Sequence, residues 1–327
     1  MEIASGIHRI KVPIPDNPLE NLNCYLVEGR DGWVMIDAGW HTPETLDSLK
    51  TGLKGLGIGL TDIASIVITH IHPDHFGLAG RIKELSPGTK LIMHRLEADL
   101  IESRYIKFPD LQDEMEHFLL RHGVSRFNIS SLDRSSLPAL EFVKVTYPEY
   151  TFYGGEIIST GKYDLEVIWT PGHSIGHICL YEPQNQLLFA GDHIFPQITS
   201  AIGLHVQSGD NPLGDYLNSL HKIENLAVTK ILPAHENIFT DLRGRIGEIK
   251  KHHQDRNNEI LATILKKPLT AYEISPQIKW NITSWNSLSP LHKRLAIMEA
   301  AAHLEYLRWE GKVQRIIEKN VFTYWPR

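Results

Sequence analysis

Apolar positions along the chain change rhythm several times, and each change predicts an element. Short runs bounded by turns predict strands at Ile7 to Val12, Asn23 to Glu28 and Trp33 to Asp37. From Pro43 to Gly55 the spacing lengthens, with Leu46, Leu49 and Leu53 on one helical face. Ile63 to Ile68 then reads as a buried strand and Phe76 to Ile82 as the start of a helix, so this stretch is an α/β unit. Leu91 to Met93 is a further strand, ending at His94. From Arg95 to about Leu140 the spacing is helical again (Leu96, Leu100, Ile101, then Leu111, Met115, Phe118, Leu119), which predicts an inserted helical segment. It can act as a lid, a pocket wall or a dimer contact, and Tyr105, Phe108 and Phe118 suit a core as well as a ligand. Strand patterns resume over Glu141 to Tyr153, Leu165 to Trp169, His177 to Tyr181, Gln186 to Gly191 and Lys230 to Ala234. A boundary is expected between Thr240 and Gly247. Beyond it come helices at Glu248 to Lys266, Leu269 to Ile274 and Leu291 to Glu310, then a hairpin turning at Lys319-Asn320.

Composition narrows the class. A chain of 327 residues with 42% hydrophobic content is long enough for one large domain and a smaller one. Nowhere do about 18 consecutive apolar residues occur, and no basic stretch followed by an apolar run opens the chain, so a cytoplasmic protein without membrane contact is expected. Cys24 and Cys179 each lie in an apolar strand-like run and are expected to be buried free thiols. The net charge of -6 is unevenly spread: from Gly247 onward 13 Lys and Arg face 8 Asp and Glu, which leaves 20 against 31 before it. A mildly basic tail thus follows an acidic main part, without the clustered Arg and Lys of a nucleic-acid footprint.

The chemistry is concentrated at strand ends. Ile68-Thr69-His70-Ile71-His72-Pro73-Asp74-His75 packs three imidazoles and a carboxylate into six consecutive residues, a donor density that suits borderline divalent metals, zinc above all. His70 and His72 can face the same side, while Pro73 turns Asp74 and His75 toward a second position, which predicts two adjacent metals. Asp37 ends a strand before glycine and reads either as a turn former or as a group that orients a ligating imidazole. Pro171-Gly172-His173 presents His173 as a third ligand of the first metal, with His177 in support. Asp192 follows Ala190-Gly191 and could reach both metals, and His235 ends the last strand. His94 is expected to be an ordinary loop histidine.

These residues resemble a known signature. Thr69-His70-Ile71-His72-Pro73-Asp74-His75 matches the T-H-x-H-x-D-H motif of the metallo-β-lactamase superfamily, accompanied in order by Asp37, His173, Asp192 and His235. The match covers roughly residues 1 to 245, while the three helices and hairpin of the tail resemble the winged-helix extension of the β-lactamase-like protein 2 group. The resemblance implies an α/β fold, an αβ/βα sandwich with a helical insertion (about 95–140) and a small C-terminal winged-helix domain (246–327). It also implies that His70, His72 and His173 hold one metal, Asp74, His75 and His235 the other, with Asp192 bridging and Asp37 behind them. Ala234 departs from the glycine that often precedes the last histidine.

Two divalent ions sharing a water would bring its pKa down toward about 7, so a metal-bridging hydroxide is the expected nucleophile, with Asp74 orienting it or passing on its proton. Zinc is expected first, and manganese and iron accept the same donors. The sequence departs from the superfamily's di-iron redox members, which carry a carboxylate at the His72 position and append a flavin domain. Its roughly 43-residue interval from Asp192 to His235 is too short for the nuclease insertion domain. The expected activity is hydrolysis of a small ester, thioester or lactone, and the alternative is an endoribonuclease acting on single-stranded RNA. A small-molecule substrate is the expected partner, with RNA as the second class and a homodimer as the candidate assembly.

Overall fold

The computed structural model describes residues 1–133, 140–280 and 284–327. Its first sheet contains, in spatial as in chain order, β1 (Glu2–Ala4), β2 (Ile7–Pro13), β3 (Asn21–Glu28), β4 (Trp33–Ile36), β5 (Ile63–Ile68), β6 (Lys90–His94) and β7 (Tyr150–Phe152). The first four run antiparallel as a meander, and from β4 onward the pairs are parallel. That switch is set by the connections. Short loops join β1 to β4, whereas α1 (Pro43–Gly55) carries the chain back between β4 and β5, and α2 (Pro73–Phe76) with α3 (Ala79–Leu85) does so between β5 and β6. The α1 helix begins on Thr42, whose side chain accepts from the Thr45 N–H, and has Pro43 at its first position.

The second sheet contains β8 (Ile157–Ser159), β9 (Asp164–Trp169), β10 (Ile178–Glu182), β11 (Leu187–Gly191) and β12 (Lys230–Pro233), antiparallel except for the parallel pair β11 and β12. The two sheets face each other across a core in which Tyr25, Val27, Ile36 and Val67 meet Leu165, Val167, Leu180 and Phe189. On the outer face of the first sheet, Leu49, Leu53, Phe76 and Ile82 of its helices pack on Leu26, Met35 and Ile66. On the outer face of the second, α7 (Pro212–Ile223) and the first half of α8 (Leu242–Ile264) cover Cys179, Leu188 and Ile231. The result is the four-layer αβ/βα sandwich that the resemblance implies. Both cysteines are buried and free.

Three expectations need correction. The strand pattern over Glu141 to Tyr153 yields a strand only at Tyr150–Phe152. Before it the chain crosses the first sheet's helices with isolated hydrogen bonds, Lys144 N–H to Gly77 and Glu149 N–H to Leu91, and Pro148 has no N–H to give a ladder. Gly77 and Gly80 permit that crossing: a Cβ would lie 2.2 Å from the Phe142 carbonyl at one and 2.2 Å from the Lys144 carbonyl at the other. Helix α8 starts six residues earlier than the expected Glu248, because Asp241 caps it by accepting from the Gly244 N–H at 2.9 Å. Helix α7 is additional to the expected elements, although Leu213, Tyr216, Leu217, Leu220 and Ile223 keep helical spacing.

The insertion consists of α4 (Arg95–Ile101), one wide helical turn at Glu102–Ile106, α5 (Phe108–Arg121) and α6 (Arg126–Asp133); the rest of the expected segment, residues 134–139, lies outside the described residues. The chain ends with α9 (Ala271–Ile274), α10 (Pro290–Trp309) and the hairpin of β13 (Val313–Glu318) and β14 (Val321–Pro326). Thr270 and Glu273 form a reciprocal capping box on α9, and Lys319 and Asn320, both with positive φ, make the hairpin turn. Leu119, Val124 and Ile129 of the insertion share one core with Ile260, Ile264, Ile297, Ala301, Leu304 and Tyr324. Helix α8 therefore belongs to two cores, through Ile246 and Ile249 at its start and Ile260 and Ile264 at its end.

Candidate metal centre

β4 runs parallel to β5 in one sheet, and β9, β11 and β12 run in a common direction in the other, and the residues that follow these strands meet at a single edge of the sandwich. Each strand carries at least one of the sequence-predicted residues, four of them following β5, and the structure brings all of them together. At the end of β5, His70 Nε2 lies 2.9 Å from His72 Nδ1, and His173 Nε2, from the loop after β9, lies 3.2 Å from the first and 3.0 Å from the second. Pro73 opens the single turn of α2, which places Asp74 and His75 on the other side of His70. There His75 Nε2 is 3.7 Å and His235 Nε2 3.2 Å from Asp74 Oδ2. Asp192 lies between the two groups. Its Oδ1 is 3.2 Å from His75 Nε2 and 3.5 Å from His235 Nε2, while its Oδ2 is 3.6 Å from His173 Nε2 and 3.9 Å from His70 Nε2.

Whether these donors fit divalent ions is decided by what the ring nitrogens have as partners. His75 Nε2, His235 Nε2 and Asp192 Oδ1 are buried and make no hydrogen bond, although polar atoms surround them. Three imidazole nitrogens within 3.2 Å of one another also cannot all be satisfied by mutual hydrogen bonds. The opposite nitrogens, by contrast, are tied down: His75 Nδ1 to Asp37 Oδ2 at 2.8 Å, His173 Nδ1 to the Ala201 carbonyl at 2.9 Å and His235 Nδ1 to the Asn21 carbonyl at 2.9 Å. That is the arrangement in which an acceptor behind each ring aims a lone pair forward, and the set fits ion binding. Two groups of three donors, His70 with His72 and His173, and Asp74 with His75 and His235, could each hold an ion.

The electrostatics follow the same division. Burial, and then the neighbouring imidazoles, hold His70 and His72 well below the usual histidine range, so both present neutral lone pairs. Burial also opposes a charge on His75, but Asp192, Asp37 and Asp74 outweigh it and hold that imidazole well above its ordinary pKa; His235 moves the same way. Asp192 is held well below the carboxylate range because His75 and His235 outweigh the cost of its burial. Protons are thus favoured where carboxylates crowd the imidazoles, which are the positions a cation would replace.

Asp37 adopts a left-handed backbone, with φ of 61°, at the end of β4. Its carboxylate accepts from the Thr69 N–H at 2.8 Å and the Thr69 hydroxyl at 2.9 Å as well as holding His75 Nδ1. His177 spends both ring nitrogens locally, on the Thr170 hydroxyl and the Asp192 N–H, and His94 caps α4 and reaches the Tyr153 carbonyl. Two residues escape sequence reasoning. Glu97, fully buried on α4, accepts from the Ile71 N–H at 2.7 Å and the Gly176 N–H at 2.6 Å, so it ties the His70–His72 loop to the loop of His173. Arg104, on the wide turn, lines a cavity of about 230 Å³ that reaches His72 and His173. The signal for Glu97 is a carboxylate on the core face of a helical pattern, which is rare without a partner. Arg104 carries none.

Residues 18–235 match the family model described as metallo-beta-lactamase superfamily. The chain is 27% identical over 319 residues to the probable metallo-hydrolase YqjP of Bacillus subtilis, covering 96% of each, and 25% identical to a beta-lactamase-like protein 2 homolog of Caenorhabditis elegans, covering 90% of this chain and 85% of that one. Among solved structures it is similar to a metallo-beta-lactamase family protein of Thermus thermophilus, with a TM-score of 0.83, 29% identity and full coverage of both chains. A beta-lactamase domain protein of Burkholderia ambifaria superposes with a TM-score of 0.79 at 26% identity, over 99% of this chain and 94% of that one. No helix among the described residues is long and apolar enough to cross a membrane.

Proposed function

The chain belongs to the metallo-beta-lactamase superfamily of metal-dependent hydrolases, and from that premise we propose that it hydrolyses a small ester, thioester or lactone at a centre for two divalent ions. His70, His72 and His173 would hold one ion, and Asp74, His75 and His235 the other, with Asp192 offering an oxygen to each. Zinc is the first candidate, and manganese and iron suit the same donors. Bound ions would supply Lewis acidity and bring a water's pKa into the neutral range. The residues do the rest. Asp37, Ala201 and Asn21 fix the tautomers of His75, His173 and His235, while Asp74, part-exposed beside His235, orients the attacking water or takes its proton. Buried Ile71, Phe76 and Phe195 keep bulk solvent from the back of the site.

The observation that carries the reading is that His72 and His173 line a mostly apolar cavity walled by Phe108, Leu111, Met115 and Met298. A pocket of this kind suits an acyl group better than a polyanionic strand. We also propose a unit spanning 1–245 and a winged-helix-like unit spanning 246–327, supported by the packing of α9, α10 and the β13–β14 hairpin around the end of α8, with Leu119, Val124 and Ile129 of the insertion docked into that same core. The test is a panel of acyl esters, thioesters, lactones and single-stranded RNA, run on protein of measured metal content. We expect turnover of at least one acyl class, abolished by chelation and restored by zinc. RNA cleavage that vanishes in Asp74→Ala, with every acyl substrate untouched, would replace this reading with an endoribonuclease.

A further inference from the structure

The cavity beside the candidate metal centre is lined by two guanidinium groups, Arg104 and Arg294, and one carboxylate, Glu299. Its apolar side is formed by α5 and α10, but Arg104 faces it from the wide helical turn. The Arg104 guanidinium donates to a neutral group, Gln207 Oε1, at 3.2 Å, and among the described residues no carboxylate stands within ion-pair distance of it. Gln207 is itself oriented, since its Nε2 donates to the Ser103 hydroxyl at 3.1 Å. The cavity's own carboxylate, Glu299, points to Arg256 at 3.5 Å. Burial, then the positive charges of Arg104 and Arg294, push the nearby His205 imidazole down to about 3, so no histidine proton competes for an anion there. A half-buried, pre-oriented guanidinium in an apolar pocket is the usual means of fixing one oxyanion of a ligand.

We propose that the substrate's acyl chain carries a second, oxyanionic group, a carboxylate or a phosphoryl group, and that Arg104 selects for it. This rests on the hydrolase reading above only in naming the bound molecule a substrate; the anion site itself is a property of the cavity. Arg104 is then a specificity residue, held in place by Gln207 and Ser103, and the preferred substrate is an α,ω-difunctional acyl compound and not a simple fatty ester.

The test is calorimetric titration of the metal-loaded protein with monoacids and with α,ω-diacids of equal length, from glutarate to suberate, followed by the ω-phosphonate of the best length. At one chain length the second anion should raise affinity by about tenfold, the scale of one charge-assisted contact. Whichever anion gives the larger gain identifies the group. In Arg104→Gln the ratio of diacid to monoacid affinity should fall to about 1, and Arg104→Lys should keep part of it. Equal affinities at every length, or a gain that survives Arg104→Gln in protein of unchanged metal content, would overturn the proposal. Parallel assays with p-nitrophenyl octanoate and mono-p-nitrophenyl suberate separate the two readings. Diacid selectivity without hydrolysis of either ester removes the acyl-hydrolase reading and keeps the anion site, whereas hydrolysis without selectivity does the reverse.

Discussion

Asp37 touches none of the nitrogens that face the candidate centre, yet it governs one of them. By accepting from His75 Nδ1 at 2.8 Å it fixes the tautomer that leaves Nε2 free, and by accepting from Thr69 it anchors the start of the loop that carries His70 and His72. Asp37→Asn should therefore keep the fold and weaken metal binding by roughly 10–100-fold, measured by competition with a chromogenic chelator. An unchanged affinity would reduce Asp37 to a turn residue. Asp192→Ala removes the oxygens that face both donor groups and should lower bound metal below the wild-type stoichiometry in a protein with an unaltered circular dichroism spectrum. At this scale most of the centre is legible in the sequence, because His70 to His75 sit next to one another and His173, Asp192 and His235 each follow a recognisable strand. Glu97 and Arg104 are not, since their roles depend on what distant loops bring to them, and one chain read in order does not show which loops meet.

Among the elements, α4 does more than continue a helical insertion. Glu97 satisfies two backbone N–H groups that would otherwise be buried without a partner, one in each ligand-bearing loop, while burial pushes its own carboxyl above the usual range. Glu97→Ala leaves both donors orphaned, at a cost of about 1–3 kcal/mol each, so thermal unfolding should occur several degrees lower and the metal content should fall with it. Restoration of both by Glu97→Gln would show that shape alone suffices; we expect only partial recovery, because an amide offers one acceptor where two are used. The strands are readable from alternation and continuous apolar runs. The passage before β7 misleads because Val143 and Val145 pack on the core from an irregular segment, and apolar spacing alone does not distinguish that from a ladder.

At the scale of the whole molecule, three buried histidines are kept neutral where its parts meet: His122 between the insertion and the terminal hairpin, and His253 and His303 between α8 and α10. Burial pushes His122 and His253 down to about 3, and His303 also lies well below its ordinary value. His303 Nδ1 donates to Asn257 Oδ1 at 2.8 Å and its Nε2 faces His253 Nδ1 at 3.3 Å, so a proton added there would have no counter-charge. In the unfolded chain these rings bind protons near pH 6.5, whereas the native state refuses them until far lower pH, so stability is complete above that value and is lost as pH falls below it. Each would contribute a slope of up to about 1.4 kcal/mol per pH unit. Urea unfolding should show a lower midpoint at pH 5 than at pH 7.5, and His303→Gln should flatten that difference. A difference between the two pH values that is the same in His303→Gln as in the wild type would mean that the His303 ring is charged in the native state.

The same shared core limits how the protein can be rebuilt. Helices α5 and α6 and the turn between them bury Leu119, Val124 and Ile129 against residues more than a hundred positions later, and Met298 of that later part walls the cavity. A chimera that borrows the insertion from one relative and the tail from another would join two mismatched surfaces, and substrate preference should be inherited only when the two travel together.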